Sequence, residues 1–378
     1  MRRLFAPAFI VALLSCSLFA YEKAWDFGTG ASPPLAVRAI GNGSDVFLAV
    51  AQKQGGVSIL KDNGKSATRL TSIGRLQLGN LDAMNLRIVG DRMYVVLGDF
   101  FGGKSKAGLA VFDISNPVQP KRLSIWASDR IYDGASDVAV FKGYAYLASM
   151  SRGVTVFEIG RQGSLREVRT ILPDTSFPKK NPPKTQTPHA RGLALDDERL
   201  YVAYDAGGLR ILDLKDPANP SEIGRYANPA LGAKPRAYNN VAISFPYAFV
   251  AVDYCGLEVL DVSRPKSILL TGWFNPWKCQ LNSNNWFNSP GHTNQIEFDE
   301  ARDEAFLSAG DSELVAVDVG QRNAPKEIPG YGKPKNGRGA WGVTKFGNNI
   351  YLTYIRSLIP FRSGANEIVK LAPPRSAQ

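Results

Sequence analysis

The chain has 378 residues, 44% of them apolar, 21% charged and 10% aromatic, with a formal net charge of +11. That balance excludes a disordered tail and a multi-span membrane protein. Its 36 glycines and 24 prolines argue against a helix-rich chain and for many short elements joined by turns.

Arg2 and Arg3 precede a nearly unbroken apolar run over residues 4–14. At roughly a dozen residues the run is too short to span a bilayer, and no stop-transfer pattern follows. Residues 1–20 are therefore expected to be a secretory signal, and two processing routes stay open. Cleavage after Ala20 releases an unmodified chain. Leu13-Leu14-Ser15-Cys16 resembles the lipobox of bacterial lipoproteins, and cleavage before Cys16 would place a lipid anchor there. The protein is expected in the periplasm or at the cell surface, with outer-membrane anchoring if the second route is taken. No later stretch is long and apolar enough for a transmembrane helix.

Export changes the reading of the cysteines. Cys255 and Cys279 fall in an oxidising compartment, and a disulfide between them closes a loop of about 25 residues, worth roughly 3 kcal/mol. Two distant cysteines and two histidines form no ligand cluster, so no metal and no cofactor are expected.

From there a unit of about 50 residues recurs seven times. The first reads as strands over 37–40, 45–50, 57–60 and 69–73, and the second over 86–89, 92–97, 109–114 and 122–126. The third runs over 138–141, 143–148, 154–159 and 167–172, and the fourth over 193–195, 200–204, 209–214 and 222–226. In the fifth the strands are 241–243, 247–252, 257–262 and 268–274; in the sixth, 296–298, 304–308, 314–319 and 327–331. Their β-branched and aromatic content at these lengths specifies strands.

The last unit has only three strands, over 343–346, 350–354 and 367–371. A blade lacking its outer strand exposes an unpaired edge, and residues 22–27 are free to fill it. The fold expected is all-β: one seven-bladed β-propeller over 21–371, closed by its N-terminal strand, with a tail over 372–378. An open solenoid would need a polar cap at each end, which the missing strand does not provide.

After several third strands an aspartate leads to a proline, as in Asp113 to Pro117, Asp213 to Pro217 and Asp261 to Pro265. Aspartate binding nearby backbone N–H groups and proline fixing φ make these turn formers, not catalytic acids. The runs Gly208-Leu-Arg-Ile-Leu-Asp-Leu-Lys-Asp-Pro217 and Gly108-Leu-Ala-Val-Phe-Asp-Ile-Ser-Asn-Pro117 resemble the LVIVD repeat family of bacterial and archaeal cell-surface proteins. The resemblance implies a β-propeller on an exported protein and brings no catalytic residues with it.

The repeat register gathers candidate site residues. Two positions before the first apolar residue of the innermost strand in the second to seventh units stand Met84, Ser136, Arg191, Asn239, Asn294 and Trp341. Four before stand His189 and His292, and five before, Arg236 and Arg338. Meeting at one channel mouth, these arginines and amides would suit a carboxylate, sulfate, phosphate or sugar acid, with Tyr238 and Trp341 as an aromatic face. Two long connections stand out. The proline-rich one, over 173–188, reads as a solvated connector. The one over 273–291 carries Trp273, Trp277, Trp286 and Phe287, which either contact a partner or pin the loop.

The resulting expectation is a non-catalytic exported propeller that binds a protein or glycan of the cell envelope through one rim. Two alternatives remain: a lyase or hydrolase with its site at the channel mouth, and a structural component of an envelope assembly. No nucleophile elbow is present, and carboxylates near the mouth are few. The basic charge suits acidic glycans or proteins, while export argues against nucleic acid as the target.

Overall fold

The computed structural model describes residues 20–41, 45–178, 188–232, 234–281, 283–285, 287–334, 336–356 and 364–373. Most of the expected leader with Cys16, the residue Trp286, part of the proline-rich connection and most of the tail lie outside them.

The described residues form seven four-stranded antiparallel sheets. Six are built from consecutive strands, innermost to outermost, over 36–73, 83–127, 137–171, 192–226, 238–274 and 295–331, blades 1 to 6. Blade 7 combines Ala340–Phe346, Asn349–Tyr354 and Glu367–Ala372 with Glu22–Gly28 as its outer strand. Glu22 lies opposite Ala372 and Gly28 opposite Glu367. Each innermost strand lies beside the next blade's, and Ala340–Phe346 returns to Ala36–Ile40. The chain is a closed seven-bladed β-propeller, and its N-terminal strand removes the edge that blade 7 would otherwise expose.

Blade stacking explains why strands with two apolar faces fit. In blade 4, Leu200 and Val202 pack with Ala148 and Val154 of blade 3, while Tyr201 and Ala203 pack with Ala248 and Val250 of blade 5. Alternate residues of one strand thus serve two interfaces.

The turns follow from their residues. Asp113, Asp213 and Asp261 each accept a hydrogen bond from the backbone N–H two residues on, at 2.8, 2.8 and 2.9 Å. The glycine that opens a third strand is steric: Gly208 sits at φ +77°, where a Cβ would lie 2.1 Å from the Tyr226 carbonyl oxygen. Cys255 and Cys279 form the disulfide, with Cα atoms 5.1 Å apart. Among the described residues no helix is long and apolar enough to cross a membrane.

Candidate functional site

One face of the ring collects the entries to the innermost strands and the turns between second and third strands. In five blades the first residue of that turn, Lys53, Met150, Asp205, Asp253 or Gly310, adopts positive φ. Each bridges through its backbone to the next blade, at Ala83, Ala190, Tyr238, Thr293 and Ala340 respectively. These partners stand three positions before the first apolar residue of the innermost strand, so the bridge is a repeated clamp between blades.

The residue after each of the five clamps turns to the channel, and Ser136 takes the equivalent place in blade 3. Met84, Ser136, Arg191, Asn239, Asn294 and Trp341, one from each of blades 2 to 7, line a single pocket. In blades 2, 5 and 7 a β-bulge provides the turn: the ladder skips Met84, Asn239 and Trp341. Several polar members brace the ring. Ser136 Oγ donates to the Arg191 carbonyl at 2.6 Å, Asn239 Nδ2 to the Thr293 carbonyl at 2.9 Å, and Asn294 Nδ2 to the Ala340 carbonyl at 3.4 Å.

Deeper in the channel, Arg87 reaches past its own blade, donating from Nε to the Val138 carbonyl at 3.2 Å. Glu297 is half-buried there, and its partial desolvation raises its carboxyl pKa against the opposing pull of Arg38, Arg87 and Lys345. The mouth therefore opens onto a braced and charged interior.

Above the mouth lies a feature absent from the sequence expectation. The connection after the second strand of blade 2 is longer than its counterparts in blades 3 to 6 and brings Phe100 and Phe101 over the channel. Phe101 is 4.8 Å from the Trp341 ring centre, and Phe100 stacks on Trp341 at 6.2 Å. The Arg191 guanidinium lies 5.1 Å from the Phe100 ring centre. Two adjacent phenylalanines in a glycine- and lysine-rich turn were the available signal for this cover.

The remaining candidates are held elsewhere. Tyr238 offers no aromatic face to the mouth: its clamp position turns the ring into the blade core, where its hydroxyl donates to Glu258 at 2.9 Å. Arg338 stacks over Tyr354 at 4.2 Å and pairs with Glu367. Arg236 is buried, which lowers its pKa against the charges of Tyr238 and Glu258. His189 sits between two carboxylates, Nδ1 at 3.3 Å from Asp205 and Nε2 at 3.4 Å from Asp133. His292 Nδ1 lies 2.7 Å from Asp253. None of these five lines the mouth pocket.

The aromatic loop is largely pinned. Trp273 donates its indole N–H to the Cys255 carbonyl at 2.9 Å. Trp277 lies so close over Gly291 that a Cβ there would be 1.9 Å from its ring. Only Phe287, 67% exposed, stands well out from this group among the described residues. Trp277 also lines a cleft of about 530 Å³ with Tyr21, Tyr331 and Glu327. Among the described residues no group of three or more His, Cys, Asp or Glu is arranged to hold a metal ion.

Chemically, the mouth offers a guanidinium, amide oxygens and aromatic faces, a set suited to recognition. Segments 82–125, 134–168, 189–228 and 235–275, corresponding to blades 2 to 5, match the family described as LVIVD repeat. No curated protein matches the chain. The structure is similar to a chain of the mitotic checkpoint complex, at 10% identity and a TM-score of 0.62, covering 99% of this chain and 98% of that one. It is also similar to the WD40 beta propeller domain of Doa1, at 10% identity and a TM-score of 0.59, covering 94% and 98%. At such identity the likeness is one of fold. Blades 2 to 5 thus carry segments that match the LVIVD repeat family, within a chain folded as a seven-bladed β-propeller.

Proposed function

We propose that the protein is a non-catalytic binding propeller of the cell envelope that takes a protein or glycan partner through the face bearing the channel mouth. One observation carries this reading. Arg191 stands in the mouth with no acidic partner among the described residues, whereas Arg152 and Arg338, outside the mouth pocket, are paired with Glu167 and Glu367. A guanidinium left without a counter-charge in a polar ring is an anchor for an incoming group. The propeller in the mitotic checkpoint complex is part of a multi-protein assembly, which agrees with a binding role. Export is supported by the leader pattern over 1–20, and the family resemblance points the same way.

The test is recovery of partners from an envelope extract by the full chain and by Arg191→Ala and Phe287→Ala variants. Loss of a specific partner with Arg191→Ala, but not with Phe287→Ala, supports the mouth. Equal recovery of every partner by all three proteins overturns it.

A further inference from the structure

Building on that binding role, we infer that the mouth receives the carboxylate of an acidic sugar, a hexuronate unit, and that Phe100 is the gate that must leave before it enters. Arg191 supplies the charge. Its guanidinium faces the Phe100 ring at 5.1 Å, and no carboxylate among the described residues competes for it. A planar carboxylate matches the guanidinium fork better than an aromatic ring does.

The neighbouring amides select the rest of the ligand. Asn239 and Asn294 have their Nδ2 groups committed to the carbonyls of Thr293 and Ala340, which leaves their oxygens as acceptors. Acceptors beside a fixed positive charge suit a molecule that carries both a carboxylate and hydroxyl donors. A sulfate ion has no hydrogen to give them. Trp341 and Phe101, with ring centres 4.8 Å apart, add the apolar surface against which the face of a sugar ring can lie.

Phe100 now occupies that place, and the space remaining in the mouth, about 20 Å³, holds no more than one water. Its connection is built to move at the tip and hold at the base. Gly102 and Gly103 form an exposed tip, with Gly103 at φ +60°. At the base, Gly98 approaches Gly134 so closely that a Cβ on Gly134 would lie 2.1 Å from the Gly98 oxygen, and Ser105 bridges to Tyr132. Opening exchanges the Arg191–Phe100 contact for an Arg191–carboxylate pair.

Calorimetry on the purified full chain with sodium glucuronate, glucose and sodium acetate at matched ionic strength tests this. Tryptophan emission, with Trp341→Phe as the control, localises the signal. Glucuronate is expected to bind at least tenfold more tightly than glucose or acetate. Arg191→Met keeps the packing on Phe100 and is expected to lose at least tenfold in affinity. Phe100→Ala is expected to gain several-fold, because the closed population no longer competes. Failure of glucuronate to bind both the wild-type chain and Phe100→Ala overturns the ligand class. The envelope-binding reading then survives if partner recovery still depends on Arg191. Binding that is unchanged or weaker in Phe100→Ala overturns the gate.

Discussion

Trp25, in the N-terminal strand, donates its indole N–H to Asp62 of blade 1 at 3.1 Å. The same carboxylate accepts from Tyr351 at 2.7 Å and from Lys370 at 2.8 Å, both on blade 7. One buried acid thus ties the closing strand and the last blade to the first. Asp62→Ala leaves Lys370 without its partner and is expected to cost about 3–5 kcal/mol. Asp45→Ala, which removes only the exposed pair with Lys61, should cost less than about 1 kcal/mol. Denaturant midpoints of the two variants measure the difference, and equal shifts would remove Asp62 from ring closure.

Glu258 makes stability pH-dependent. Burial raises its carboxyl to about 7 from an ordinary 4.5, against hydrogen bonds from Asn228 and Tyr238 and the charge of Arg236. The fold therefore favours the protonated acid. Its contribution is full below about 4.5 and is lost as pH rises through about 7, a change of roughly 3 kcal/mol. Glu258→Gln should flatten the stability profile over this window. Chemical denaturation at pH 5 and pH 7.5 gives the comparison, and an unchanged slope in the variant would count against this assignment.

Reducing the Cys255–Cys279 disulfide, or replacing both cysteines by serine, should lower stability by about 3 kcal/mol through the entropy of the opened loop. The reduced protein should also expose Trp277 to quenchers, because the disulfide anchors the segment that carries it. Stability indifferent to reductant would show that packing alone holds the loop.

Gly208 and Gly90 separate steric from conformational cost. Both have positive φ, +77° and +55°, but only Gly208 has a carbonyl where a Cβ would go. Gly90→Ala should cost about 1 kcal/mol from left-handed strain alone. Gly208→Ala should exceed that, at about 3 kcal/mol, because the Tyr226 strand end must shift. Thermal unfolding of the two variants checks the order.

Much of the architecture is visible in the sequence because strand formation is local and repeated. The strand read over 154–159 is the observed Val154–Ile159, and that over 92–97 is Arg92–Leu97. Register also brought Arg191, Asn239, Asn294 and Trp341 to one mouth. It failed one residue away. Tyr238, adjacent to Asn239, points into the core because it bridges to Asp205 of blade 4, and neighbouring side chains of an extended segment face opposite ways. Arg338 is diverted by Glu367, a partner 29 residues distant whose approach depends on how blade 7 folds back.

The amino-acid order by itself determined the number of blades, their strands and the closing role of residues 22–27. Those features follow from apolar periodicity, turn chemistry and the need to pair a bare sheet edge. Only the assembled ring decided that Phe100 covers Arg191, since they belong to blades 2 and 4 and meet across the channel. Periodicity along a strand specifies its local faces; which distant charge or ring fills the remaining space depends on the geometry of closure.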